Sequence, residues 1–154
     1  MMSDVGTTGA PPMVWPTVRA RDARALIAFL VDVLGFEEVV VYGEGGTVDH
    51  AELAWPAGGG VMLGSERPGD GTRVAPPGAM SVYVACDDAD ALYERASASG
   101  ARIESEPHDT EYGSREFAVR DPEGNHWTFG TYRGARRAGP ADRGGSGRAG
   151  PDLG

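Results

Sequence analysis

Tyr112-Gly-Ser-Arg-Glu-Phe-Ala-Val-Arg-Asp-Pro-Glu-Gly-Asn-His-Trp-Thr-Phe-Gly-Thr-Tyr132 reads as two strands joined by a tight turn. Phe117 and Val119 alternate on the first strand, Trp127 and Phe129 on the second. Between them lies Asp121-Pro122-Glu123-Gly124-Asn125. Proline presets φ at the first corner, and Gly124 tolerates φ > 0. The hairpin therefore has an apolar face, and His126 and Thr128 share the opposite one, where function is to be sought.

Outward from the hairpin, the chain repeats itself. Val18-Arg-Ala-Arg-Asp22-Ala-Arg-Ala-Leu26 followed by Leu34-Gly35-Phe36-Glu37 matches Val84-Ala-Cys-Asp-Asp88-Ala-Asp-Ala-Leu92 followed by Ser99-Gly100-Ala101-Arg102. In each copy a strand ends at an Asp, a helix follows, and a Gly closes it. Asp22 and Asp88 suit N-caps, and Gly35 and Gly100 suit the residue just past a helix end. Leu26, Phe29, Leu30, Val33 and Leu34 form a stripe at helical spacing, and Leu92, Ala96 and Ser99 a weaker one. The remaining alternations predict strands over Val14–Ala20, Glu38–Tyr42, Thr47–Trp55 and Gly60–Ser65 in the first half. In the second half they predict Met80–Cys86, Arg102–Glu106, Tyr112–Arg120 and Asn125–Tyr132. Gly43-Glu-Gly-Gly46 and Gly58-Gly-Gly60 read as hairpin turns, because neither leads into a helix with the Lys-Ser/Thr ending of a phosphate loop.

Both halves thus read βαβββ, in an α+β domain over residues 13–133. The modules are 13–65 and 79–133, and a Pro- and Gly-rich linker, 66–78, joins them. Two such modules can curve a mixed sheet around a cleft, with the helices on the outer face. Alternation then turns Ala51, Leu53, Trp55, Val82, Val84, Phe117 and Val119 toward the helices. It turns His50, Glu52, Ser81, Tyr83, Ser114, Glu116, His126 and Thr128 toward the cleft. Residues 1–12 and 134–154 hold too little apolar surface to offset their ordering entropy and are expected to be disordered.

The chain has 154 residues and a formal net charge of −9. That acidity argues against a nucleic-acid partner, which needs a basic face. No apolar run reaches bilayer-spanning length, so no membrane role is expected. Met1 to Pro12 lacks the basic and apolar regions of a signal peptide. Cys86 is the only cysteine, so no intrachain disulfide can form and a cytoplasmic location is the default expectation. Cys86, at the end of an apolar run, reads as a buried structural thiol.

Three features together resemble the glyoxalase, bleomycin-resistance and extradiol-dioxygenase (vicinal oxygen chelate) superfamily. They are Asp22…Leu34-Gly35-Phe36, Asp88-Ala-Asp-Ala-Leu92…Gly100-Ala101, and Asp121-Pro122-Glu123-Gly124-Asn125…Trp127. The resemblance covers about residues 14–133. It implies metal ligands at four strand positions, and these fall at Trp15 or Pro16, near Met62, at Ser81 and at Thr128. None is a good donor for a divalent ion, which needs imidazole, carboxylate or thiolate groups. Metal ligands are therefore expected to be absent, as in the resistance-like branch of the family. The resemblance also implies a homodimer, with the pairing of modules, within one chain or across two, left open.

The cleft candidates follow. His50 and Glu52, two apart on a strand, share one face at roughly 7 Å. They are the candidates for catalysis as base and orienter, against a simpler role as polar lining. Trp15, Met62, Tyr83 and Tyr112 could stack on a planar ligand. Thr17, Arg19, Ser81, Glu116, His126 and Thr128 add polar contacts, with an ion pair to Arg115, Arg120 or Arg19 as the alternative role for Glu116. His108 reads as an exposed loop residue, and Trp55 and Trp127 as core. The function expected is metal-independent binding of a small-molecule ligand, partly apolar and planar or cationic, in the manner of bleomycin-resistance proteins, with no cofactor. The alternative is a metal-dependent glyoxalase-like lyase or isomerase, or a dioxygenase, in which His50, Glu52, Glu116 and His126 hold the divalent metal.

Overall fold

The computed structural model describes residues 12–69 and 74–135. The expectations for residues 1–11, 70–73 and 136–154 lie outside that range. The elements follow the doubled order: β1 (Thr17–Ala20), α1 (Ala23–Ala28), a π-helical turn (Phe29–Val33), β2 (Glu37–Tyr42), β3 (His50–Ala54) and β4 (Gly60–Ser65). The second half contains β5 (Ser81–Ala85), α2 (Ala89–Ala98), β6 (Arg102–Asp109), β7 (Arg115–Arg120) and β8 (His126–Gly130). Each half forms its own four-stranded mixed sheet, ordered β1-β4-β3-β2 and β5-β8-β7-β6. The first strand of each lies parallel to the last, and the other pairs are antiparallel.

Local chemistry accounts for these elements. The Asp22 carboxylate accepts from Ala25 N at 3.1 Å and the Asp88 carboxylate from Ala91 N at 3.0 Å. Each thereby satisfies an amide that the first helical turn leaves without a partner. The β7–β8 turn is built on Asp121. Its buried carboxylate accepts from Glu123 N, Asn125 N, Asn125 Nδ2 and Trp127 Nε1, all within 3.0 Å. Gly124 completes the turn at φ +101°, a conformation costly for any residue with a Cβ.

One apolar core spans both modules. Leu26, Leu30 and Leu34 meet Val18, Leu53, Val61 and Leu63 from the first sheet, and Phe117, Val119, Trp127 and Phe129 from the second. Burying each such side chain contributes roughly 1.5–3 kcal/mol. Polar contacts also join the modules. The Glu123 carboxylate accepts from Arg21 N at 2.8 Å and Asp22 N at 2.9 Å, at the start of α1. Trp55 Nε1 donates to Ala85 O at 2.9 Å, and its ring contacts Phe36 and Phe129.

Three local expectations are corrected. Ser99 is exposed rather than part of a core stripe, and the α2 side chains that pack are Ala89, Leu92, Tyr93 and Ala96. β7 starts at Arg115, because Tyr112 and Gly113 form a turn closed by Thr110 and Ser114. β6 runs on to Asp109 and takes His108 out of the loop. Pro107 is compatible with this strand because β6 is a sheet edge, and two bulges bend it. No helix among the described residues is long and apolar enough to cross a membrane.

Candidate functional site

The polar face of the second sheet lines a half-open cavity of about 660 Å³. Strand register explains which side chains reach it. Ser81 pairs with His126, Tyr83 pairs with Thr128 and through it with Ala118, and Glu116 lies opposite His108. Partners in register project to the same side of a sheet. The cavity is therefore bordered by Ser81, Tyr83, Ala118, His126 and Thr128, with Glu104, Ser105 and His108 from the bent β6 strand. Tyr112 and Glu116 close it.

Gly130 creates the depth at the Glu116 end. A Cβ there would stand 2.6 Å from the Tyr83 hydroxyl, 2.8 Å from Glu116 Cγ and 2.9 Å from Ser114 Oγ. Because that space is free, Tyr83 reaches across β8 and donates to Tyr132 O at 2.6 Å. Tyr112, held edge-on to Tyr132, donates to Glu116 Oε2 at 2.7 Å. The Glu116 carboxylate beside it pushes the Tyr112 phenol up to about 12, and burial raises that of Tyr83. Both phenols are neutral near physiological pH, so they offer aromatic surface and hydroxyl groups rather than a base. At the rim, a charged hydrogen bond from Arg120 at 2.7 Å holds the Glu104 carboxyl below the usual carboxylate range.

Of the expected site residues, Ser81, Tyr83, Tyr112, Glu116, His126 and Thr128 thus converge on this cavity. The other six belong to the first module and do not line it. Thr17, Met62 and Glu52 are aligned across β1, β4 and β3. Arg19 lies across Gly64, where a Cβ would meet its Nη1 at 3.0 Å. Trp15 packs on Gly60 and donates to Pro12 O. His50 Nε2 and Glu52 Oε2 are 2.9 Å apart, and Tyr42 stacks on the imidazole. That pair satisfies itself, and His126 faces a cavity that neither His50 nor Glu52 lines.

The ion-pair reading of Glu116 is corrected for Arg115 and Arg120. Arg115 turns to Asp90 and Asp109, and Arg120 to Glu104. Sequence reasoning missed Glu104, Ser105, His108 and Ala118, and Val82, expected to face the helices, also borders the cavity. Ala118 was within reach of the alternation that placed Glu116. The β6 residues were not, because two bulges break the period of two.

The side chains at the family's four metal positions do not fit a divalent ion. Trp15, Pro16, Met62, Ser81 and Thr128 supply no imidazole, carboxylate or thiolate. Among the described residues, no three His, Cys, Asp or Glu side chains are grouped so as to hold an ion. A second crevice of about 260 Å³ lies between the modules, bordered by Val14, Phe36, Trp55, Tyr83 and Trp127.

Comparison with known proteins places this geometry. A sequence profile described as the glyoxalase/bleomycin resistance protein/dioxygenase superfamily matches residues 13–129. A Mycobacterium bovis protein, Mb0911c, is 30% identical over 126 residues, covering 77% of this chain and 82% of the relative. TioX from Micromonospora sp. ML1 is similar in structure, with a TM-score of 0.62 and 31% identity over 76% of this chain and 97% of its own. TnmS3, an antibiotic binding protein from Streptomyces sp. CB03234, has the same fold, with a TM-score of 0.61 and 23% identity over 73% of this chain and 88% of its own.

Proposed function

Because this chain belongs to the glyoxalase/bleomycin resistance protein/dioxygenase superfamily, we propose that it binds a small, partly apolar, planar molecule without a metal and sequesters it in the cytoplasm. One observation carries this reading. The second-sheet cavity combines two neutral tyrosines and several hydroxyl groups with a floor of small residues, and its volume of about 660 Å³ suits a drug-sized ligand. The antibiotic-binding description of TnmS3 supports the reading at the level of fold only. Binding would proceed by burial against Tyr83 and Tyr112, with polar contacts from Ser81, Thr128 and His126 fixing orientation.

Isothermal titration against planar aromatic antibiotics tests this. The expected result is saturable binding by protein treated with a chelator, with the affinity of untreated protein. Ala118→Phe, which fills the floor, should abolish it. No heat with any such compound, or binding that returns only with added zinc, nickel or iron, would overturn the proposal.

We also propose that the chain works as a homodimer. β1 and β5 are edge strands, and Met13 and Val14, just before β1, are 88% and 86% exposed. A second copy covering that segment would remove apolar surface from water and close the crevice that Val14 borders.

A further inference from the structure

Glu116 stands out within the cavity because its charge is not matched. Its residue exposure is 7%, yet it borders the cavity. Oε2 accepts the Tyr112 hydroxyl, and Oε1 accepts no hydrogen bond among the described residues. The arginines on either end of its strand are committed elsewhere: Arg115 to Asp90 and Asp109, Arg120 to Glu104 and Gly124 O. Among the described residues no cation forms an ion pair with Glu116. The sequence has no lysine to supply one. A carboxylate largely removed from water, as Glu116 is, is costly unless a cation and hydrogen bonds compensate it, and Oε1 keeps its access to the cavity.

Resting on the ligand-binding reading above, we propose that the ligand itself supplies the missing charge: a protonated aliphatic amine that docks on Glu116 Oε1 while its planar body lies over Ala118 and Thr128. A neutral hydroxyl could donate to Oε1 but would leave the charge unbalanced. An ammonium group does both, and the rings of Tyr83 and Tyr112 beside it attract cations through their faces. Gly130 is part of the device, because a side chain there would occupy the space of the Glu116 stem and the Tyr83 hydroxyl.

Dansylcadaverine, a planar ring bearing a primary amine, and its N-acetylated form, which differs in lacking the charge, make a matched pair of fluorescent probes. The amine should bind about tenfold or more tightly than the acetylated form, the ratio expected of one charged hydrogen bond. In Glu116→Gln that ratio should fall to about one, with the acetylated probe still bound. A second measurement needs no variant. Carbodiimide joins an amine to a nearby carboxylate, and the absence of lysine limits competing amines to the chain's amino terminus. Trypsin releases residues 116–120, Glu-Phe-Ala-Val-Arg, in which Glu116 is the only side-chain carboxylate. Label should appear on that peptide despite the burial of Glu116 and be suppressed by excess acetylated probe.

Equal affinity for the two probes, a preference that survives Glu116→Gln, or label confined to exposed carboxylates such as Asp109 and Glu111 would overturn the amine subsite and leave the broader reading standing. Failure of both probes to bind would overturn the subsite too. Titration with the aromatic antibiotics then decides the broader reading separately.

Discussion

At the scale of single residues, Gly130 and Cys86 show two opposite uses of tight space. Gly130 leaves room that neighbouring side chains fill, with Tyr83, Glu116 and Ser114 all closer to its missing Cβ than atoms can sit. Gly130→Ala should therefore destabilise the fold by about 1–3 kcal/mol in urea titrations. It should also weaken ligand binding, by pushing Tyr83 off its bond to Tyr132 O. Cys86 is buried, and burial, followed by the charges of Asp87 and Asp88, pushes its thiol up to about 11. At about pH 8 it should ignore Ellman's reagent until the chain unfolds. The folded chain holds this proton more tightly than the unfolded chain does. Stability should thus be full below the ordinary thiol range and fall as pH rises from there toward 11. Urea midpoints at about pH 8 and about pH 10, compared with those of Cys86→Ala, check the sign: the variant should lose less.

At the scale of elements, the Asp121–Asn125 turn does more than reverse the chain. Asp121 gathers four hydrogen bonds within the second module, which leaves Glu123 free to reach α1 in the first. Its carboxylate occupies the start of α1, where the helix leaves amides without partners, and lies 3.5 Å from the Arg21 guanidinium. Glu123→Ala should cost about 1–3 kcal/mol, because the two amides of Arg21 and Asp22 lose their acceptor in a half-buried setting. Native-state hydrogen exchange should show faster opening at Ala23–Ala28 with little change in β7 and β8. Uniform loss of protection in both modules would contradict this division. The turn was legible in the sequence as a turn, and so were both Asp caps. The role of Glu123 was not, because its partners lie about a hundred positions earlier in the chain.

At the scale of the whole molecule, the two sheets share a core and the small crevice between them, but only the second sheet lines the large cavity. The first-module candidates, His50, Glu52, Met62, Thr17, Arg19 and Trp15, do not line the cavity bordered by Tyr83, Tyr112 and Glu116. The proposed homodimer would cover the exposed Met13–Val14 segment with a second copy. Light scattering should then report twice the chain mass, and Val14→Asp should shift the protein toward the monomer without lowering its urea midpoint, since Val14 lies outside the core. A single-chain mass for the unmodified protein at micromolar concentration would remove the dimer.

What the amino-acid order determined by itself was everything set by short-range physics. The period of two marked the strands and their faces, the Asp caps and closing glycines bounded the helices, and the doubled pattern implied two βαβββ modules. Half of the candidate site was readable in this way, because Ser81, Tyr83, Glu116, His126 and Thr128 follow from alternation alone. Tertiary structure alone decided that these, and not the His50–Glu52 pair, border one cavity. It decided that bulges in β6 bring in Glu104, Ser105 and His108. It also decided that Arg115 and Arg120, at the two ends of the same strand and opposite in charge, pair elsewhere, so that among the described residues no cation forms an ion pair with Glu116. Those outcomes depend on which distant carboxylates the arginines meet, and no local pattern encodes a contact that only packing creates.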